Sequence, residues 1–200
     1  DVKAWLRIRG LIKKIKPDIL HCHSSKAGII GRSAAFGRHV PKVFYTPHAY
    51  AFQAWEFSES KKRFFAFLER MCSHFLTTCT FNVSKGERDI ALQNRIDKPD
   101  KFKVVYNGIP DITLPSRDEA LGMLGLSDLP HGAVVIGSTV RLAKQKDPMT
   151  FVRIAKTVVE HNPLAHFVCV GDGDLQDDVS RFVADHGLGS NVHLLGYHDD

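Results

Sequence analysis

Several common functional signatures are missing from this 200-residue chain. It contains no G-x-G-x-x-G and no G-x-x-x-x-G-K-[ST], which removes the sequence marks of dinucleotide oxidoreductases and of P-loop ATPases. No apolar run approaches the ~20 residues of a membrane-spanning helix, and no signal-peptide pattern is read at its start. Cysteine is sparse: Cys22, Cys72, Cys79 and Cys169 lie far apart, without a C-x-x-C. That spacing argues against a zinc framework and a disulfide scaffold, and it suits buried, reduced thiols in a cytoplasmic protein. Internal repeats and low-complexity tracts are absent as well.

The composition, 44% apolar and 24% charged, is that of an ordinary globular chain. A formal charge of +5 allows an anionic partner such as a nucleotide, a phospholipid surface or a nucleic acid. Nucleic acid is disfavoured, because the basic residues are scattered over several helices and lack an aromatic-interleaved strand platform.

The most informative stretch is residues 133–173. Apolar runs 133–136 and 167–170 are short and β-branched, as in strands buried on both faces of a parallel sheet. Between them Asp147 can cap a helix that has Pro148 at its first position. Phe151, Ile154, Ala155, Val158 and Val159 then fall on one helical face. This predicts a βαβ unit with polar loops 137–147 and 171–174 at its carboxyl edge, where open α/β sheets bind ligands. Arg141, Lys144 and Lys146 in the first loop either solvate it or receive a phosphorylated ligand.

The remainder reads as more α/β structure. Trp5, Ile8, Leu11, Ile12 and Ile15 recur at helical spacing among lysines and arginines, and Pro17 ends that helix. A basic amphipathic helix is either a solvated face on a packed helix or a surface for an anionic membrane. Strands are predicted over 18–23, 43–46, 75–78, 103–106 and 192–195, and helices over 27–38, 57–74 and 175–186. His21 and His23 share a strand face, but no partner follows at metal-binding spacing, so no metal is expected. Ser24 and Ser25 precede a helix whose small residues Gly28, Gly31, Ala34 and Ala35 permit close contact with a sheet. Ser84 and Glu87 form an S-x-x-E capping box. His48 follows a strand at the carboxyl edge and either packs its loop or acts there. Prolines 110, 115 and 130 bracket a connection, 110–130, between lobes 1–109 and 131–200.

Seven stretches, PDILHCHSSKAGIIGR, YTPHAYAF, FNVSKGERD, VVYNGI, VRLAKQKDP, VCVGDGDL and LLGYHD, stand in the order and approximate spacing of the retaining family 4 glycosyltransferases, which the chain resembles along essentially its whole length. The resemblance implies an α/β fold of two Rossmann-like lobes, the GT-B type, both incomplete here. It implies transfer of a sugar, with retention, from a nucleotide-sugar (UDP- or GDP-sugar) to a glycan or lipid-linked acceptor in cell-surface polysaccharide biosynthesis. The enzyme would be cytoplasmic and peripheral at the inner membrane face, with no metal or cofactor. Arg141 and Lys146 would hold the donor diphosphate, and Gly171, Asp172 and Gly173 would lie near the nucleoside. His48 would sit by the transferred sugar, and Ser24, Ser25 and Lys26 would line the acceptor side of the cleft. A non-catalytic nucleotide-sugar-binding or scaffold protein of the same fold is the alternative.

The chain departs from that pattern in two places. Val140 stands where the family usually has glycine before the arginine, and Ala49 stands where it usually has glycine after the histidine. The family's glycine-rich acceptor loop would precede Asp1, and its E-x7-E pair would follow Asp200. The expectation is therefore an internal segment of a longer enzyme, inactive by itself.

Overall fold

The computed structural model describes residues 1–198; Asp199, the last residue of LLGYHD, and Asp200 lie outside the described residues. The chain divides into two compact units, Asp1–Asp111 and a second that begins at Ile112. Both are α/β, with every named strand pair parallel.

The first unit runs α1 (Val2–Ile15), β1 (Ile19–His23), α2 (Ser25–Ala35), β2 (Lys42–Thr46), α3 (Glu59–Leu76), β3 (Cys79–Asn82), α4 (Lys85–Gln93) and β4 (Phe102–Val104). The sheet order β1-β2-β3-β4 follows the chain, each crossover carrying a helix. Register pairs His23 with Thr46, so the carboxyl ends of β1 and β2 are level. α2 lies close on the sheet because it has no Cβ where it crosses: one on Gly28 would strike the Tyr45 ring, and one on Gly31 would lie 2.6 Å from Cys22 Sγ.

A buried polar knot joins α2, β2 and α3. Arg32 Nη2 donates to Glu69 Oε2 at 2.7 Å, and Tyr45 Oη donates to Glu69 Oε1 at 2.9 Å. The Arg32 guanidinium lies 3.7 Å from the Tyr45 ring centroid, and its Nε donates to Gly28 O at 3.0 Å. Burial, and then the Glu69 charge, push the Tyr45 hydroxyl well above its ordinary pKa.

Three expectations for this unit need correction. Residues 75–78 are not a strand: Phe75 and Leu76 continue α3, and the β-branched pair Thr77-Thr78 ends it, with Thr77 Oγ1 donating back to Cys72 O at 2.8 Å. The strand follows, at Cys79–Asn82. Leu11 and Ile15 are exposed, because the apolar contact of α1 with α2 runs along Trp5, Ile8 and Ile12, against the small Ala34 and Ala35. α2 begins at Ser25 and stops at Ala35, before the left-handed Gly37.

The second unit runs α5 (Arg117–Met123), β5 (Val134–Thr139), α6 (Pro148–His161), β6 (Ala165–Val170), α7 (Gln176–Asp185) and β7 (Val192–Gly196), with sheet order β5-β6-β7. Central β6 is buried along Ala165–Cys169, as its unbroken apolar run predicts. β5 is not buried on both faces: it edges the described sheet, and Val134 is 50% exposed. On α6, Asp147 caps Thr150 N beside Pro148. The buried stripe is Val152 and Ala155, joined by Phe151, Val158 and Val159, while Ile154 faces outward. The difference is one of phase: the face against Phe167 and Val179 is centred one residue away from Ile154.

Candidate functional site

In the first unit the polar residues gather where β1, β2 and β3 end. His21 and His23 alternate onto one face, their ring centroids 4.2 Å apart. His21 Nε2 hydrogen-bonds Thr46 Oγ1 at 2.9 Å. His23 Nδ1 hydrogen-bonds His48 Nε2 at 3.0 Å, with the rings stacked. Burial, then the charges of His23 and His48, lower the pKa of His21.

The loop carrying His48 is held by side chains from three directions. Ala49 N donates to Glu87 Oε1 at 2.6 Å, Tyr50 N to Gln53 Oε1 at 3.1 Å, and Ala51 N to Ser25 Oγ at 3.0 Å. Ser84 Oγ accepts from Glu87 N at 3.0 Å, as a capping box requires. The reciprocal half is a correction: Glu87 does not reach back to the Ser84 amide. Its Oε2 takes Val83 N at 2.9 Å and Asn82 Nδ2 at 3.3 Å, because its other oxygen is already engaged by the His48 loop.

The three acceptor-side residues have separate fates. Ser24 has φ +62 and ties its own N–H to Thr46 O at 2.9 Å. Ser25 Oγ is committed to Ala51. Lys26 pairs with Asp1 at 2.9 Å, both exposed, an arrangement of little energetic weight.

In the second unit the loop after β5 and the loop after β6 are interlocked. Val140 N donates to Val170 O at 2.9 Å, Leu142 N to Asp172 O at 2.8 Å, and Leu175 N to Leu142 O at 2.9 Å. Gly171 and Gly173 have φ +130 and +154. A Cβ on Gly171 would collide with Val140 O, and one on Gly173 would lie 2.5 Å from Leu142 O. These glycines therefore exist for backbone-on-backbone packing. Val140, at the first departure from the family pattern, lies outside the left-handed region, so its Cβ fits.

This interlock pins Arg141 between the buried Leu142 and the half-buried Val140. Arg141, Thr139, Val140, Val170, Gly171, Asp172 and Tyr197 line a cavity of about 300 Å³ at the carboxyl edge of β5 and β6. Arg141, Gly171 and Asp172 thus meet at one place. Lys146 is exposed at the end of a 3-10 turn, Lys144–Lys146, and neither it nor Gly173 lines the cavity. A guanidinium beside a polar backbone wall suits a phosphorylated ligand. Among the described residues no group of three or more His, Cys, Asp or Glu is placed to hold a metal.

Two contributors escaped sequence reading. His23 was visible only as half of an HxH pair, and Glu87 only as a helix cap. The signal for Glu87 was its place just after a strand end, where a carboxylate can reach a neighbouring loop as well as its own helix.

The fold has counterparts among known proteins. Residues 1–111 match the profile of Glycosyltransferase Family 4. The chain is 34% identical over 209 aligned residues to the UDP-Gal:alpha-D-GlcNAc-diphosphoundecaprenol alpha-1,3-galactosyltransferase of Escherichia coli, covering 100% of this chain and 52% of the relative. The crystal structure of Anabaena HepE in complex with UDP and glucose superposes with a TM-score of 0.71 at 22% identity, over 90% of this chain and 48% of that one. A glycosyltransferase from Rickettsia africae does so at 0.71 and 17%, over 99% and 51%. The chain thus spans about half the length of the curated galactosyltransferase and of these structures. Two parallel α/β units match GT-B glycosyltransferase structures, and with more than half of its residues matched to one family profile the chain belongs to Glycosyltransferase Family 4.

Proposed function

We propose that the protein transfers a hexose or N-acetylhexosamine from a UDP-sugar to a lipid-linked saccharide in surface polysaccharide biosynthesis, with retention of anomeric configuration. The observation that carries this reading is Arg141 fixed beside Gly171 and Asp172 in a cavity at the carboxyl edge of a parallel sheet. The donor class is supported by the E. coli relative, which uses UDP-Gal and a diphosphoundecaprenol-linked acceptor, and by HepE, which binds UDP and glucose.

In this reading Arg141 and Lys146 stabilise the negative charge that grows on the diphosphate as the bond to the sugar anomeric carbon breaks. Preorganised cations serve where other transferases use a divalent metal, so none is required. The acceptor oxygen bonds the anomeric carbon on the face the diphosphate leaves, which preserves configuration. Its proton passes to the departing phosphate oxygen. His48 hydrogen-bonds the donor sugar and steadies the positive charge that develops on it. The exposed lysines and arginines of α1, with Lys61 and Arg63 on α3, hold the enzyme at the anionic cytoplasmic membrane face.

Incubating the intact protein with radiolabelled UDP-galactose and undecaprenyl-diphosphate-linked GlcNAc tests the reading. Label moving into the lipid fraction, with the small H1–H2 coupling of an axial (α) glycosidic bond in the product, supports it. UDP-sugar binding without transfer to any saccharide acceptor identifies a scaffold instead.

A further inference from the structure

The backbone of the first unit singles out one turn. His48 and Ala49 sit consecutively at φ +49 and +77, a region that residues with a Cβ occupy only where their surroundings over-determine it. Here the surroundings are named bonds. Tyr50 and Ala51 tie the far side of the turn to Gln53 and Ser25, and Ser24 N ties the end of β2 at Thr46 O. The middle of the turn is tied by Ala49 N to Glu87 Oε1 at 2.6 Å, a charge-assisted bond. Glu87 is 7% exposed, and its other oxygen and its own amide are fixed by Val83, Asn82 and Ser84. The carboxylate cannot swing without loosening the start of α4.

We infer that Glu87 is a positioning residue: its carboxylate holds Ala49 in the left-handed conformation and thereby sets the His48 imidazole against His23. The clamp matters because residue 49 is alanine. Glycine adopts φ +77 without steric penalty, whereas the alanine Cβ favours relaxation to negative φ once the amide loses its partner. Relaxation rotates the peptide joining His48 to Ala49 and carries the imidazole off His23. Glu87 is buried behind the loop, so it acts through His48 and does not meet substrate. The inference rests on the proposed role of His48 in sugar transfer, but its geometric half is read independently.

The test compares Glu87→Ala with the double variant Glu87→Ala/Ala49→Gly in the intact protein. The readouts are transfer from UDP-galactose, UDP affinity, and the imidazole nitrogen resonances of His23 and His48. Glu87→Ala is expected to lower kcat about tenfold to hundredfold, to leave UDP affinity within about twofold, and to shift both sets of ring resonances. Adding Ala49→Gly restores much of the lost kcat and returns the resonances, since glycine keeps the turn unaided. Glu87→Met, which is of similar volume and has no strong acceptor, carries the same comparison should Glu87→Ala fail to fold. Unmoved ring resonances, or no rescue by Ala49→Gly, overturn the inference even when His48→Ala abolishes transfer. Full turnover in His48→Ala removes the functional reading of that histidine even when the ring resonances move in Glu87→Ala.

Discussion

His23 Nδ1 and His48 Nε2 face each other at 3.0 Å with their rings 5.3 Å apart and nearly parallel. One imidazole must donate the proton that the other accepts, so the contact exists only while at least one of the two is neutral. His21 adds a third ring on the same side, 4.2 Å from His23.

Stability should fall in mild acid. The pKa of His21 is lowered by burial and by His23 and His48, and that of His193 by burial and by His166. A histidine whose folded pKa lies below its unfolded value contributes stability above the unfolded pKa of about 6.5 and loses it as pH falls through the folded value. The melting temperature should drop as pH falls below about 6.5. His21→Gln and His193→Gln should each flatten that profile, and a profile unchanged by both would refute the assignment.

His48→Ala should affect turnover more than donor binding. A polar group that acts on the developing charge contributes about 10²-fold or more to kcat, with ground-state affinity little changed. Measuring kcat, UDP affinity and melting temperature on the one variant separates this from a packing role, which would lower only the last.

Arg141→Ala should weaken UDP binding by about 1.5–3 kcal/mol, the scale of a hydrogen bond to a charged group. Lys146→Ala should do less, because Lys146 stands outside the cavity that Arg141 lines. Calorimetry giving parental affinity for both would remove them from the donor site.

Gly173→Ala should cost about 2 kcal/mol or more, combining a left-handed backbone with a collision at Leu142. It should also weaken UDP binding, since it displaces the segment that carries Arg141. Gly137→Ala is the control: a Cβ there meets nothing within 4 Å. Denaturant melts of the two variants test the contrast.

Glu69→Ala should destabilise the chain by about 3–5 kcal/mol, because it strands the buried Arg32 guanidinium. Arg32→Met combined with Glu69→Leu should cost much less than either change alone. Additive losses in chemical denaturation would contradict a paired role.

The sequence made some of this plain for identifiable reasons. β6 was legible because a central parallel strand is apolar along its whole length, and α6 because Asp147-Pro148 marks its start. The 75–78 misreading arose because the apolar pair Phe75-Leu76 suits a strand or a helix end equally, and only packing decides between them. Ile154 was misassigned because a shift in phase of less than half a turn is invisible without the partner surface. Arg141, Gly171 and Asp172 could be named from pattern, but their meeting depends on long-range backbone bonds between 140–142 and 170–175. Glu87 was hidden by a simpler role it also fills, since its amide does bond Ser84.

The fit of Gly171 and Gly173 against Val140 and Leu142 also bears on recombination. Each segment is shaped to the other's main chain, although a strand and a helix separate them in sequence. A chimera whose crossover falls within α6 would bring together halves from different parents. If the incoming sequence carried a side chain at 171 or 173, the junction would fail at backbone level whatever its surface chemistry. Shuffling within this unit thus requires exchanging 140–173 as one cassette.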